Sequence, residues 1–187
     1  MPEPIRGFIA FDINNGEILK RLAEIQVKLV ETGADLKLVE PQNIHITMRF
    51  LGDIQPTIIE RIHSEMVHVG FRSFDVEILG VGVFPTLKYA RVVWAGIQKG
   101  VDELKDIFNQ LEPRLRRLGF KPDVKGFSPH ITIARVRTGR NKAELAQCIN
   151  ELTNCKFGTL KADCLKLRKS ILTPKGPIYS TLKEVCR

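Results

Sequence analysis

The hydrophobic and polar positions of the chain follow two spacings, one typical of buried strands and one typical of amphipathic helices. An apolar run predicts a strand over residues 6–13, and apolar positions at helical spacing predict a following helix that ends at Gly33. Gly52 and Asp53 are expected to break a strand, and Gly80 to form a bulge or a turn. The remaining predicted elements are strands over residues 36–39, 44–51, 74–84, 91–97 and 130–136, helices over 56–69, 101–118 and 142–152, and two or three strands within 156–185.

The order of these elements repeats along the chain. Residues 8–13 align with residues 92–97 at an offset of 84, and His45 aligns with His130 at an offset of 85. A strand, a long helix and a strand that carries a histidine therefore occur twice in nearly the same frame. We expect one α/β (α+β) domain over residues 1–187, bilobal and pseudo-two-fold, with largely antiparallel sheets flanked by helices and an active cleft between the lobes.

Composition and charge narrow the class of protein. No apolar run approaches the roughly 18 residues of a membrane span, and residues 1–12 lack the apolar core and cleavage site of a secretory signal. These features favour a cytoplasmic, soluble protein, which we expect to be a monomer. Residues 1–90 hold 9 Lys/Arg against 12 Asp/Glu, whereas residues 91–187 hold 20 against 9. The basic half either attracts a polyanion such as RNA or is solvated surface.

The cysteines all lie in the last quarter of the chain. None forms a C-x-x-C pair, and no histidine lies among them, so the sequence predicts no metal site there. In an intracellular protein they are expected to be free thiols that pack as small hydrophobic side chains. A disulfide becomes plausible only for a hyperthermophilic source. The four residues are Cys148, Cys155, Cys164 and Cys186.

The candidate chemistry lies in two H-x-T tripeptides, His45 with Thr47 and His130 with Thr132. Residues two apart on a strand share a face, so each copy presents an imidazole beside a hydroxyl. Composition alone predicts roughly 0.2 such tripeptides in this chain, yet two occur at matching points of the repeat. Two unrelated core histidines are therefore a weak explanation.

Paired imidazoles suit the cleavage of a phosphodiester without a cofactor. With an ordinary pKa near 6.5, one neutral ring can accept a proton from water while a charged ring donates one to the leaving oxygen. Hydroxyl groups beside the rings can donate hydrogen bonds to the phosphate oxygens, on which charge develops. The sequence offers no H-x-H or H-E-x-x-H pattern and no carboxylate-rich loop, so we expect neither a metal nor another cofactor.

The duplicated motif resembles that of the two-histidine (2H) phosphoesterase superfamily, and the wider sequence resembles its RNA 2′,3′-cyclic phosphodiesterase branch, historically called 2′-5′ RNA ligase. The resemblance implies a bilobal, pseudo-symmetric fold and metal-free hydrolysis of RNA 2′,3′-cyclic phosphate ends to a 2′-phosphate. We expect an RNA partner with such an end, tRNA fragments among the candidates. The resemblance also implies that His45 is the proton donor, His130 the acceptor, and that Thr47, Thr132 and Arg135 contact phosphate. The segments that carry it are residues 8–11, 45–52, 84–85, 93–96 and 128–135.

Strand parity raises a difficulty for Arg135, because it places this residue on the face opposite His130 and Thr132 unless a bulge or a strand end intervenes. Arg49 has the expected parity with His45 and is a weaker candidate for an RNA contact or a carboxylate pair. Phe11, Phe50 and Phe127 are candidates for stacking on a base, although core packing is the more ordinary role. Basic residues near the second motif either guide RNA or are solvated: Lys121, Lys125, Arg137, Arg140 and Lys142.

Two other functions stay open from the sequence. One is nucleotide-independent 2′-5′ joining of RNA ends, since residues 161–164 lack the glycine of a K-x-D-G adenylation site. The other is a module that binds RNA ends through the basic half, against which the two intact His-Thr pairs argue.

Overall fold

The computed structural model describes residues 3–187, so Met1 and Pro2 of the N-terminal stretch lie outside the described residues. Each predicted helix and strand is present, with ends within a few residues of the prediction. The strands are β1 Ile5–Asp12, β2 Leu36–Leu38, β3 His45–Ile54, β4 Phe74–Phe84, β5 Val92–Lys99, β6 Ile131–Val136, β7 Lys156–Ala162, β8 Cys164–Thr173 and β9 Gly176–Cys186. The helices are α1 Gly16–Glu31, α2 Ile59–Val67, α3 Val101–Arg117 and α4 Lys142–Glu151.

The strands form a single antiparallel sheet in the order β7-β4-β5-β6-β3-β1-β8-β9, with β2 paired to β6. This order is symmetric about the junction of β6 and β3, because β5, β4 and β7 continue one half as β1, β8 and β9 continue the other. The predicted α/β class, duplication and antiparallel pairing are confirmed. The two lobes are halves of one continuous sheet, joined at the strands that follow the two histidines.

Buried residues of α1 show how the helices pack on one face of the sheet. Ile18, Leu22 and Leu29 recur at helical spacing on α1, and each is at most 2% exposed. The Asn15 side chain accepts hydrogen bonds from the first free amides of α1, which sets where that helix begins. The apolar stripes of the helices join the inward-facing strand residues in one core, and the opposite face of the sheet is left to form a cleft.

Glycines account for two departures from regular pairing. The prediction that Gly52 and Asp53 end a strand is wrong, because β3 continues to Ile54. Gly52 has a φ of +70°, a conformation that only glycine adopts without strain, and the register with β1 shifts beside it. The bulge predicted at Gly80 is confirmed, with a φ of +80° and a register shift between Ile78 and Val81.

The cysteines depart from the expectation of free thiols. Cys164 and Cys186 form a disulfide between the paired strands β8 and β9, so the expectation is wrong for these two residues. Their strands are register partners at that position, which brings the two side chains together although they are 22 residues apart. Cys148 and Cys155 are free thiols packed against the core.

Within residues 3–187, no helix combines the length and the apolar character needed to cross a membrane.

Candidate active site

The two histidines are brought together by the pairing of β3 with β6. Ile46 and Ile131 are antiparallel partners, and both are fully buried. In an antiparallel register the neighbours of this pair lie opposite one another, so His45 faces the position of Thr132 and His130 faces the position of Thr47. Because the isoleucines point into the core, the histidines and threonines point into the cleft.

A bulge follows each H-x-T tripeptide. On β6, Thr132 pairs with Trp94 and Ala134 pairs with Val93, so Ile133 is the extra residue. On β3, Met48 is the extra residue in the same way, between partners of Ile9 and Ala10. Each bulge reverses the strand parity of the residues after it.

The bulges decide which arginine faces the cleft. Arg135 pairs with Val92, which shares a face of β5 with Trp94, the partner of Thr132. Arg135 therefore lies on the cleft face with Thr132, and the parity difficulty raised by the sequence is resolved. Arg49 is turned to the opposite face, contrary to the parity that an unbroken strand predicts.

Both imidazoles are held by the same backbone contact. His45 Nδ1 lies 2.7 Å from the carbonyl oxygen of Asn43, and His130 Nδ1 lies 2.7 Å from that of Ser128. A carbonyl only accepts, so Nδ1 carries hydrogen in each ring and Nε2 is the atom left for chemistry. His45 Nε2 also lies 2.8 Å from the Thr47 hydroxyl.

The surroundings of the two rings differ. Phe8 and Tyr179 pack against His45, with ring centroids 4.9 and 5.5 Å away. Phe84 packs edge-on against His130 at 4.9 Å. No motif in the sequence points to Tyr179, which belongs to the last strand and reaches the site only through the pairing of β9 with β8.

A charged cluster lies beside His45. The Asp12 carboxylate, whose backbone pairs with that of His45, accepts hydrogen bonds from Lys166, at 3.0 Å, and from Arg168. Arg168 is only 9% exposed, and its Nε has no partner among the described residues. On the side of His130, the residue that packs against the imidazole is Phe84.

Burial is the main influence on the pKa of His45, and it lowers that pKa from its ordinary value. The Asn43 carbonyl and the Asp12 carboxylate raise the pKa, and the charges of Arg168 and His130 lower it further. Burial also raises the pKa of Tyr179, against the opposing effect of Arg135, Arg168 and Arg6. The positive charges of these three arginines therefore act on this part of the cleft.

Several predicted contact residues lie elsewhere. Phe11 is 1% exposed in the core, so the prediction that it contacts RNA is wrong. Phe127 is partly buried and stacks on Phe108 at 4.7 Å, which leaves one face at most for a base. Phe50 is 63% exposed on the cleft side of β3, at the position equivalent to Arg135.

Arg49 has a structural partner. Its Nε donates to Glu112 at 2.7 Å, and its terminal nitrogens donate to the carbonyls of Phe50 and Lys121. Burial alone would raise the pKa of Glu112, but the hydrogen bonds from Arg49 and from the Asp123 amide lower it overall. Of the two roles considered for Arg49, the carboxylate pair is the one present.

Among residues 3–187, no group of three or more His, Cys, Asp or Glu side chains is arranged to hold a metal ion.

Comparison with known proteins identifies the family. Residues 7–186 match the model of the AKAP7 2′5′ RNA ligase-like domain. A protein of Aeropyrum pernix named RNA 2′,3′-cyclic phosphodiesterase is 37% identical over 165 residues, which are 88% of this chain and 94% of that protein. A protein of the same name from Methanothermobacter thermautotrophicus is 35% identical over 181 residues, 96% of this chain and 97% of that protein.

A solved structure shows the same fold. The crystal structure of E. coli LigT complexed with 3′-AMP aligns with a TM-score of 0.76 over 99% of this chain and 98% of that chain, at 22% identity.

The chain belongs to the 2′5′ RNA ligase-like family of two-histidine phosphoesterases.

Proposed function

We propose that this protein hydrolyses the 2′,3′-cyclic phosphate at the end of an RNA to a 2′-phosphate, with His45 as the proton donor and His130 as the acceptor. The observation that carries the proposal is the pair of imidazoles on adjacent strands, each held through Nδ1 so that Nε2 is left for proton transfer. The names of the relatives from Aeropyrum and Methanothermobacter support the same substrate.

The reaction needs two proton transfers and one displacement. His130 Nε2 removes a proton from water, and the water oxygen forms a bond to phosphorus. The bond from phosphorus to O3′ breaks as His45 Nε2–H gives its proton to that oxygen. The products are a 2′-phosphate and a 3′-hydroxyl, and exchange with solvent restores both rings.

The neighbouring side chains have roles in the same proposal. Thr47 and Thr132 donate hydrogen bonds to the non-bridging phosphate oxygens, on which charge develops, and the guanidinium of Arg135 neutralises that charge. The phosphate is an anion, so its arrival next to His45 raises the pKa of that ring and favours the protonated donor. Asp12 acts in the same direction. No step requires a metal ion.

The proposal extends to the oligomeric state, the location and the RNA substrate of the enzyme. We expect a monomeric, cytoplasmic enzyme that acts on RNA ends such as tRNA fragments. The arginine charges that act on Tyr179 and the net charge of +8 favour a polyanionic substrate.

The test is hydrolysis of a short RNA with a 2′,3′-cyclic phosphate end, in EDTA, with identification of the terminal phosphate. The wild-type protein should yield a 2′-phosphate, and His45→Ala and His130→Ala should each lose at least about 100-fold in kcat. His68→Ala is the matched control, since His68 is exposed at the end of α2 and should keep full activity. Circular dichroism and RNA affinity should be unchanged in all three variants.

Three outcomes would contradict the proposal. An untouched substrate would favour a module that only binds RNA ends. Activity that EDTA abolishes and a divalent metal restores would overturn the metal-independent mechanism. Equal losses in His68→Ala and the two site variants would remove the special role of the histidine pair.

A further inference from the structure

A cavity of about 260 Å³ outside the cleft is lined by two loops, the turn at Leu87–Tyr89 with the residues after it, and the segment between β6 and α4. We propose that this cavity, the basic pocket, binds phosphodiester groups of the RNA strand whose cyclic phosphate end lies between His45 and His130. The inference rests on the proposed function and extends it to the body of the RNA. The cations that line the basic pocket are Lys88, Arg91, Arg137, Arg140 and Lys142.

The charge of the basic pocket is not neutralised by the protein. Its lining contains no Asp or Glu. Within residues 3–187, none of its five cations takes part in a salt bridge, whereas Arg49, Arg114, Lys166 and Lys183 each have a carboxylate partner. Five like charges around one cavity repel one another and are stabilised when an anion enters.

The basic pocket lies next to residues of the cleft in two places. The ring of Phe84 packs against His130, and the carbonyl of Phe84 accepts a hydrogen bond from the amide of Arg91 at 2.8 Å. Arg137, just past the end of β6, follows Arg135 by two residues, about 7 Å along an extended chain. Successive phosphates of an extended RNA strand have a comparable spacing, so one strand can reach both arginines.

Hydrogen bonds to the segment that follows α1 hold the loop after β6 in place. The three acceptors are backbone carbonyl oxygens, each at 2.9 Å: that of Asp35 for the Arg137 amide, that of Gly33 for Arg140 Nε, and that of Thr32 for Asn141 Nδ2. Nε anchors the Arg140 guanidinium, and its two terminal nitrogens have no partner among the described residues. The loop is therefore already ordered before RNA binds. This reduces the entropic cost of binding.

An exposed aromatic ring points to a nucleic acid rather than an inorganic anion. Tyr89 is 64% exposed at the rim of the basic pocket, and Lys88 Nζ lies 5.6 Å from the centre of its ring. A ring beside a row of cations can stack on a base while the cations bind the backbone, the combination found in proteins that bind single strands.

The experiment compares two substrates and two triple variants. The substrates are a 12-nucleotide RNA with a 2′,3′-cyclic phosphate end and adenosine 2′,3′-cyclic phosphate, which is too small to reach the basic pocket. The test variant is Lys88→Gln/Arg91→Gln/Arg137→Gln, whose side chains make no ion pair within residues 3–187. The matched control is Lys20→Gln/Lys28→Gln/Lys105→Gln, which removes the same charge from exposed positions of α1 and α3.

The test variant should raise KM for the 12-nucleotide RNA by about tenfold at low salt, and kcat should stay unchanged. The slope of log KM against log salt concentration should fall by about 2, since each lost phosphate contact on a single strand removes about 0.7. KM for the mononucleotide should not change, and the control variant should behave as wild type on both substrates.

Equal effects of the test and control variants would mean that the charge acts diffusely, and an unchanged KM and slope in the test variant would mean that the pocket does not bind RNA. Either result overturns the inference. If the wild-type protein hydrolyses neither substrate, the proposed function fails on its own. Fluorescence anisotropy with a 12-nucleotide RNA that ends in a 2′-phosphate then decides the matter, since loss of affinity in the test variant alone supports the basic pocket, and equal affinity of wild type and test variant overturns it.

Discussion

Ile46 and Ile131 are partners across the junction of the two half-sheets, and within residues 3–187 they are the single register pair that joins β3 to β6. Both side chains are fully buried. Their pairing places each histidine opposite the threonine of the other motif, so both halves contribute an imidazole and a hydroxyl to the same part of the cleft. The site is therefore a product of the duplication, and neither half contains it alone.

The imidazole of His45 should titrate below pH 6.5, because burial disfavours its charged form. Asp12→Asn should lower this pKa further, since it removes the carboxylate that favours the charged ring, and Arg168→Gln should raise it. Titration of the ring by NMR gives the values directly. A pKa above 6.5 in the wild-type protein, or a shift in the opposite direction in either variant, would contradict the electrostatic account.

The pH dependence of kcat/KM should reflect the lowered pKa of His45. The profile should be bell-shaped, because one ring must be charged and the other neutral. The limb that His45 controls should lie below pH 6.5 and should move to lower pH in Asp12→Asn. A profile with a single limb would exclude a histidine pair acting together.

Substitution of Arg135 should affect activity, whereas substitution of Arg49 should affect stability. Arg135 is exposed in the cleft, so Arg135→Gln should lower kcat/KM about 10- to 100-fold and change the free energy of unfolding by less than about 0.5 kcal/mol. Arg49→Gln leaves Glu112 without its charged partner and should cost about 1–3 kcal/mol. Urea denaturation and steady-state kinetics on the same samples provide the check.

The lowered pKa of Glu112 also fixes the pH range of that effect. The carboxylate form is the one that Arg49 stabilises, so the pair contributes above the ordinary carboxyl pKa, and its contribution is lost as pH falls through the lowered value. The difference in unfolding free energy between wild type and Arg49→Gln should therefore shrink on acidification. A difference independent of pH would show that the charge of Glu112 is not involved.

Gln26 should act as a positioning residue. It is buried on α1, and its Nε2 donates to the carbonyls of Ile133, the bulged residue of β6, at 2.8 Å and of Val39 at 2.9 Å. Gln26→Leu should cost about 1–3 kcal/mol of stability and lower kcat/KM, because the bulge that turns Arg135 into the cleft loses a support. Val27→Ala, on the exposed side of α1, is the control. Unchanged kcat/KM in a folded Gln26→Leu protein would contradict the positioning role.

The disulfide should stabilise the last two strands. Closing a loop between Cys164 and Cys186, 22 residues apart, contributes about 3 kcal/mol in the chain-entropy treatment. In Cys164→Ser/Cys186→Ser the free energy of unfolding should fall by about this amount. The control Cys148→Ala/Cys155→Ala should keep the contribution of the disulfide. Thiol counting on the denatured protein without reductant should find two free thiols. A count of four would show that the bond is absent.

The periodicity of the chain was sufficient for the order and type of its elements, because burial of one face imposes a spacing of about 3.6 residues on a helix and 2 on a strand. It was also sufficient for the duplication, since the offsets of 84 and 85 residues can be read directly. The fold class was reached in this way and the family through the resemblance of its motifs, and both are confirmed. The roles of His45, His130, Thr47, Thr132 and Arg135 remain predictions.

The tertiary structure decided which face of the sheet several side chains occupy, because spacing along the chain does not determine this. The parity of Arg135 and Arg49 depends on bulges at Ile133 and Met48, and a bulge exists only relative to a neighbouring strand. Phe11 lies in the core because the face it belongs to is covered by other rings.

Contacts between distant segments were likewise settled only by strand pairing. Asp12, Arg168 and Tyr179 meet around His45 through the pairing of β1 with β8 and of β8 with β9, and the same pairing brings Cys164 to Cys186. The sequence by itself determined which side chains could perform the chemistry, since residue type sets pKa and hydrogen-bonding capacity. The register of the sheet determined which of them share the cleft, since that depends on partners more than 100 residues away.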